Sequence, residues 1–160
     1  MLRPTVPADT PALLDLTSGT EVFKPHEVET LQEVLDDYHR EGDEYGHVCM
    51  TLEENGRPIG FVYFTPVAMT DRTWELWWIV VGKQHQGRGL GRWLLDRVEQ
   101  TVLQLTGRLL LIETSSTPHY EPTRRFYLHN GYTLAAQIPD FYCDGDDKCV
   151  YAKRLIRPIA

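Results

Sequence analysis

Positive charge is in deficit. The chain sets 16 Lys and Arg against 23 Asp and Glu, a formal net charge of −7, so nucleic acid, which needs clustered cations, is not an expected partner. Cysteine is scarce: Cys49, Cys143 and Cys149 are odd in number and lack metal-ligand spacing, which reads as free thiols in a reducing, cytoplasmic setting. Cys143 and Cys149 flank one loop, and a pairing of the two is the alternative. Long uncharged apolar runs are missing, and with them any expected membrane span. Met1-Leu2-Arg3-Pro4-Thr5 places no apolar stretch behind its charge, so no secretory leader is expected. His26, His39, His47, His85, His119 and His129 show no ligand pairing at helical or loop spacing, and no metal is expected.

What is present suits a single domain over residues 1–160, since a hydrophobic share of 42% in a chain of this length fills one core and not two. Residues 1–5 read as an edge strand, Asp9 to about Ser18 as a helix, and His26 to about His39 as a second helix with Val28, Leu31, Leu35 and Tyr38 on one face. His47–Glu53 and Ile59–Val67 are strand-like, joined through Glu54-Asn55-Gly56, a hairpin signal. Trp74–Val81 is the next strand. Gly89 to about Leu105 is an amphipathic helix, with Leu90, Leu94, Val98, Val102 and Leu105 aligned and Gly107 after it. Leu109–Thr114 follows as a buried strand, making a right-handed parallel crossover. Tyr132–Ile138 and Lys148–Leu155 close the sheet around the loop Asp144-Gly145-Asp146-Asp147. The order predicts an α/β fold: a mixed, twisted, mainly antiparallel sheet with one parallel strand pair and helices on both faces.

Chemistry concentrates where Trp74–Val81 gives way to Gln86-Gly87-Arg88-Gly89-Leu90-Gly91-Arg92. Unpaired N–H groups at a helix start converge with the positive end of the helix dipole, and glycine admits a phosphate where a side chain would block it. The spacing fits neither a dinucleotide fingerprint, whose third glycine falls one residue later, nor a P-loop, which ends in Gly-Lys-Ser/Thr. A plain glycine-rich turn is the alternative. The segment resembles the acyl-CoA signature of the GNAT superfamily of N-acetyltransferases, [Arg/Gln]-x-x-Gly-x-[Gly/Ala]. Downstream, Glu121-Pro122-Thr123-Arg124-Arg125-Phe126-Tyr127-Leu128-His129-Asn130-Gly131-Tyr132 resembles that superfamily's second signature. Physically it is a helix with Pro122 in its first turn and Gly131 as a left-handed cap.

The resemblance implies a fold whose two parallel strands splay to admit a pantetheine arm, and acetyl-CoA as co-substrate. It implies that Gln86–Arg92 cradle the pyrophosphate, and that the backbone of Ile79, Val80 and Val81 pairs with the arm and polarises the thioester carbonyl. It matches Tyr127 to the tyrosine that protonates the departing sulfur; packing is the alternative for a buried tyrosine. Two carboxylates compete as base. Glu75 matches the glutamate of histone-type lysine acetyltransferases and has the alternation parity of Trp77, Ile79 and Val81. Glu113, in Glu113-Thr114-Ser115-Ser116, resembles the Glu-x-x-x-Ser of alanine-type N-terminal acetyltransferases, with its serine one place early. Either carboxylate could instead be structural; parity favours Glu75.

The acceptor is less legible. Ile138-Pro139-Asp140-Phe141-Tyr142 resembles an aromatic hairpin that holds peptide N-termini in the alanine-type enzymes, which makes Phe141 and Tyr142 acceptor candidates, with packing on the sheet as the alternative. Glu27, Glu29, Glu33, Asp36, Asp37, Glu41, Asp43 and Glu44 gather the acidity, either as a solvated helix face or as a border that attracts cationic amines. The leading function is acetyl transfer to a primary amine in a ternary complex. The alternatives are a peptide N-terminal acetyltransferase, a non-catalytic acyl-CoA-binding module, or an interaction domain that uses its exposed Trp and acidic surfaces. A homodimer stays open.

Overall fold

Eleven regular elements run in order through the computed structural model, which describes residues 1–156 apart from the side chain of Asp43. They are β1 (Leu2–Pro4), α1 (Thr10–Gly19), α2 (Pro25–Glu41), β2 (Val48–Glu54), β3 (Arg57–Pro66), β4 (Thr73–Val81), α3 (Leu90–Gln104), β5 (Leu109–Ser115), α4 (Glu121–His129), β6 (Thr133–Cys143) and β7 (Asp146–Arg154). The strand order is β1-β2-β3-β4-β5-β7-β6, and β4 with β5 is the parallel pair. This is the mixed α/β sheet that the element order predicts. The chain falls into two compact units, one of Met1–Pro66 with Trp77–Val98, the other of Val67–Leu76 with the segment from Glu99.

In the first unit the β2–β3 turn takes the shape its sequence asks for. Asn55 and Gly56 have φ of 52° and 73°, the doubly positive pair of a hairpin turn whose twist matches its strands. Leu13 of α1 and Leu31 and Leu35 of α2 are fully buried with Cys49, Phe61, Tyr63 and Val80, so α1 and α2 cover one face of the strands. Gly60 points to the other face, where an added Cβ would lie 2.7 Å from the Val80 carbonyl and 3.6 Å from Leu94 of α3. Helices therefore lie on both faces. A side chain at position 60 would push β3 away from β4.

In the second unit both helix ends close with Schellman geometry. At α4, Gly131 (φ 86°) donates to the Leu128 carbonyl and Tyr132 to that of Tyr127, with the left-handed glycine where the sequence predicts it. At α3 the left-handed residue is Thr106 (φ 63°) and not Gly107, whose N–H bonds the Val102 carbonyl at 2.7 Å. Gly107 is required for space: a Cβ there would stand 2.2 Å from Val102 and 2.7 Å from Trp74. Leu105, aligned with the apolar face by periodicity, is 48% exposed because the helix has ended at Gln104. Asp146 and Asp147 lie in β7, which leaves Asp144-Gly145 as the turn. All three cysteines are free thiols, Cys49 and Cys149 buried and Cys143 exposed.

One buried carboxylate ties β1 to β2 and to the turn before α1. Asp9, 6% exposed, accepts from Arg3 at 2.7 and 2.9 Å, from the Val6 N–H at 2.9 Å and from Thr51 at 3.4 Å. Arg3 also reaches Glu53 at 2.8 Å. The Arg3 guanidinium holds the Asp9 carboxyl below its ordinary value. Its stabilisation is therefore present above the unfolded carboxylate pKa and lost as pH falls through the lower native one. Asp9→Ala is expected to cost about 3 kcal/mol in urea unfolding at neutral pH. The gap from wild type should narrow in acid, as pH falls through the lowered native pKa. A gap of equal size at neutral and acid pH would show that the loss is packing and not charge.

Candidate active site

β4 carries one more residue than β3 can pair. Val67 donates to Thr73 at 2.8 Å, and Gly82 donates to Ile59 at 2.8 Å. Eight residues separate 59 from 67 while nine separate 73 from 82, so β4 contains a β-bulge. Trp77 stacks on Tyr63 at 5.5 Å, and Trp78 packs against the buried cluster that contains Tyr63. Two consecutive residues thus face the same side of the strand, which places the bulge at Trp77/Trp78. A bulge leaves a backbone group out of the ladder and flips the alternation beyond it. Ile79 and Val81 therefore lie on the opposite face from Glu75 and Trp77, which corrects the parity assigned to these four from sequence alone. The parallel ladder runs from Thr73↔Leu109 to Leu76↔Ile112, while β4 continues to Val81 and β5 to Ser115.

After β4 the chain turns through Gly82 and a short 3-10 turn, Lys83–His85, into the glycine loop. The Gln86 side-chain amide donates to the Val81 carbonyl at 3.0 Å, so the first signature residue fixes the loop to the strand end. Gly87 and Gly89 have φ of +75° and +76°, and a Cβ on either would meet nothing within 4 Å. Backbone lies bare there at the N-terminus of α3, where helix N–H groups lack intrahelical partners. A pyrophosphate fits that surface. The Arg88 guanidinium is engaged elsewhere, with Glu54 at 2.7 Å and His85 at 3.2 Å, so Arg88 braces the loop against the β2–β3 turn. The Arg92 side chain, in the first turn of α3, is exposed.

The other predicted residues belong to the second unit. Tyr127 is 5% exposed, with its ring near Phe126 (5.5 Å), Tyr132 (6.0 Å) and Tyr151 (6.0 Å). Burial pushes its phenol pKa up, which keeps the proton on oxygen. No buried polar side-chain atom among the described residues lacks a partner, and the Tyr127 hydroxyl makes no hydrogen bond to any of them. A sliver of the hydroxyl is therefore accessible, while the phenol as a whole is buried. Glu75 is half-buried on β4. Glu113 is ion-paired with Lys148 at 2.8 Å, and the same ammonium lies 3.9 Å above the Phe141 ring.

Phe141 and Tyr142 stand in an excursion of β6. Ile138 pairs with Lys148 and Cys143 with Asp146, so residues 139–142 stand opposite Asp147 alone. Asp140 takes φ 54°, its N–H donates to Asp147 at 3.0 Å, and its carboxylate accepts from Gly145 at 2.8 Å. The two rings meet edge to face at 5.0 Å and are 50% and 47% exposed. Contacts with no local signal in the sequence hold this region. Arg124 donates to the Ser115 and Thr117 carbonyls at 2.8 and 2.7 Å, and Ser115 donates to buried Asp146 at 2.5 Å. Arg124 is inside the second signature, but its role depends on a fold-dependent approach of α4 to the end of β5. Among the described residues no three His, Cys, Asp or Glu side chains gather as a metal site would need.

The model of the Acetyltransferase (GNAT) family matches residues 11–132. A solved GNAT-family protein of Desulfovibrio desulfuricans is 33% identical, with 98% of this chain and 99% of that one covered at a TM-score of 0.92. An aminoglycoside 6′-N-acetyltransferase complexed with coenzyme A shares the fold at 18% identity, covering 100% of this chain and 99% of that one at a TM-score of 0.75. So does the ribosomal-protein-S18-alanine N-acetyltransferase of Escherichia coli, at 18% identity, 99% and 96% coverage and a TM-score of 0.76. A comparison with curated proteins gives no match. The chain belongs to the GNAT acetyltransferase family, and it is an acetyltransferase with acetyl-CoA as its co-substrate.

The bare loop carries a direct test. Valine at position 89 would strain a left-handed turn and stand where a phosphate would lie, so Gly89→Val should weaken coenzyme A binding about ten- to a hundredfold. Calorimetric titration checks this, with circular dichroism as the folding control. Unchanged affinity in a folded variant would move the pyrophosphate elsewhere.

Proposed function

We propose that the chain acts as a single domain over residues 1–160 and transfers acetyl to a primary amine by direct attack in a ternary complex. The observation that carries the reading is the pair of left-handed glycines, Gly87 and Gly89, open above the backbone at the start of α3. In this reading N–H groups of Gln86, Gly87, Arg88, Gly89, Leu90, Gly91 and Arg92 hold the pyrophosphate. Ile79, Val80 and Val81 offer backbone groups to the pantetheine arm, and the bulge supports this because it frees strand backbone just before them. The co-substrate supplies a thioester, whose carbonyl carbon accepts the amine and whose sulfur departs.

The chain's own residues manage the protons and the charge. Backbone N–H groups beside the bulge stabilise the developing oxyanion. Glu75 takes the proton that a lysine-like amine carries at neutral pH, directly or through water. As the C–N bond forms and the C–S bond breaks, Tyr127 gives its proton to sulfur. Its buried ring and free hydroxyl support that role. Glu113 acts at one remove, by holding Lys148 over Phe141. Phe141 and Tyr142, half-exposed on the β6 excursion, border the acceptor, and that exposure also favours the second reading, a peptide N-terminus as acceptor. A reducing, cytoplasmic setting fits the three free thiols. No helix among the described residues is long and apolar enough to cross a membrane.

Tyr127→Phe keeps the ring volume and removes the hydroxyl. Coenzyme A affinity should survive while turnover, read as thiol release, falls by roughly 10²- to 10⁴-fold. Full turnover in the variant would assign protonation of the sulfur to solvent.

Glu75→Gln and Glu113→Gln separate the two carboxylates. Glu75→Gln should slow acetyl transfer most at neutral pH and recover part of the rate as pH rises and free amine accumulates. Glu113→Gln should chiefly lower stability, because it leaves Lys148 without its partner. A reversed result would make Glu113 the base and peptide N-termini the first acceptors to try.

A further inference from the structure

An aromatic cluster that no step above uses lies on the first unit, at the bulge. His47 Nδ1 and the Tyr63 hydroxyl are 2.6 Å apart, with their rings perpendicular at 5.7 Å. Trp77 stacks on Tyr63 and meets His47 edge-on at 5.6 Å. Tyr38 of α2 adds an edge contact to Tyr63 at 5.7 Å, and Tyr45 lies 6.2 Å from His47. Tyr63 is sealed at 1% exposure, whereas Trp77 and Tyr45 are 43% and 61% exposed. The cluster thus has a rigid floor and an accessible rim. Rings packed only for stability would close over one another, and exposing two large ones has a solvation cost that a ligand would offset.

Charge selects what the rim accepts. Residues 25–45, which contribute Tyr38 and Tyr45, hold eight carboxylates and one arginine, a net −7 equal to that of the whole chain. The rest of the protein is therefore neutral in sum, and the field beside these rings is negative. Burial lowers the pKa of His47, so the imidazole is neutral at physiological pH and adds no opposing charge. Aromatic faces within a negative field attract cations.

We infer that the His47–Tyr63–Trp77 cluster, with Tyr45 at its rim, is a subsite for a second, non-reacting cationic group of the acceptor, so that the preferred acceptors are di- or polyamines. The reacting amine must lose its proton to attack, so the cation held here is a different group of the same molecule. The inference rests on the acetyltransferase reading for its place in turnover, but its binding test does not.

Putrescine and n-butylamine have the same carbon chain and differ by one ammonium group. Titrated calorimetrically into the full chain saturated with coenzyme A, putrescine should bind about tenfold tighter, the scale of one cation–π contact. Trp77→Leu should remove most of that preference. Should that variant fail to fold, Tyr45→Ala, at an exposed rim position, should reduce the preference, and raised salt should reduce it in the wild type. Equal affinity for the two amines would overturn the subsite. So would tighter binding of phenethylamine than of putrescine, which would mark the cluster as a stacking site for a planar group. Thiol release from acetyl-CoA with the same amines tests the acetyltransferase reading separately: putrescine binding without turnover would sink that reading and leave the subsite standing.

Discussion

A single extra residue in β4 is the constraint on which the candidate site depends. A regular strand would satisfy its backbone on β3 and offer nothing to a ligand. The bulge at Trp77/Trp78 takes a backbone group out of the ladder, in the same strand that leads into the glycine loop. It also turns two neighbouring indoles to the same side, Trp77 stacked on Tyr63 and Trp78 packed on the buried cluster. The deviation is held in place by its surroundings: Gly60 leaves room for the Val80 carbonyl, and the Gln86 side chain ties the loop back to Val81. One local irregularity therefore serves both the proposed donor site and the aromatic cluster.

Each unit is braced by a polar anchor within its hydrophobic packing. In the first, Asp9 gathers Arg3, Val6 and Thr51, joining β1, β2 and the turn into α1. In the second, Glu99 of α3 accepts from Lys153 of β7 at 2.9 Å through both oxygens and from the Tyr132 hydroxyl at 3.0 Å. Lys153 also donates to the Asn130 carbonyl at the end of α4, at 3.0 Å. That network holds the C-terminal end of the helix that carries Tyr127. Such charged contacts specify geometry more than they add stability, because each group gives up hydration to make them. Here the geometry specified is that of Tyr127.

Elements with strong local signals were legible in the sequence. Asn55-Gly56 encoded its hairpin, Gly131 its left-handed cap, and the spacing of Leu94, Val98 and Val102 the buried face of α3. Less legible was whatever depends on a neighbouring strand. The bulge is invisible in Trp74–Val81 because that run alternates plausibly in either register, and the face of Ile79 and Val81 was assigned wrongly for that reason. Gly107 was placed only as the residue after the helix, whereas its need is steric and comes from Trp74, 33 residues earlier. The β6 excursion likewise follows from the pairing of Asp147 with Asp140 and Gln137. Of the candidate site, the glycine cradle was readable from spacing, whereas the partnership of Glu113 with Lys148 required the β5–β7 register.

The two carboxylates show why strand position alone does not identify a base. A carboxylate serves as base when it can approach the amine and exchange a proton with it. Glu113 is committed to Lys148, and that ammonium in turn lies against Phe141. Loss of that carboxylate would leave a largely buried ammonium without its partner. Tyr127 poses the complementary case: burial makes the phenol hard to ionise in the resting protein, so the proton is in place at any working pH. The same burial would disfavour a free phenolate after donation. Proton return from the acceptor side, through Glu75 or water, would then have to accompany product release. Within the proposed reaction, the donor and the base are therefore one proton circuit rather than two independent groups.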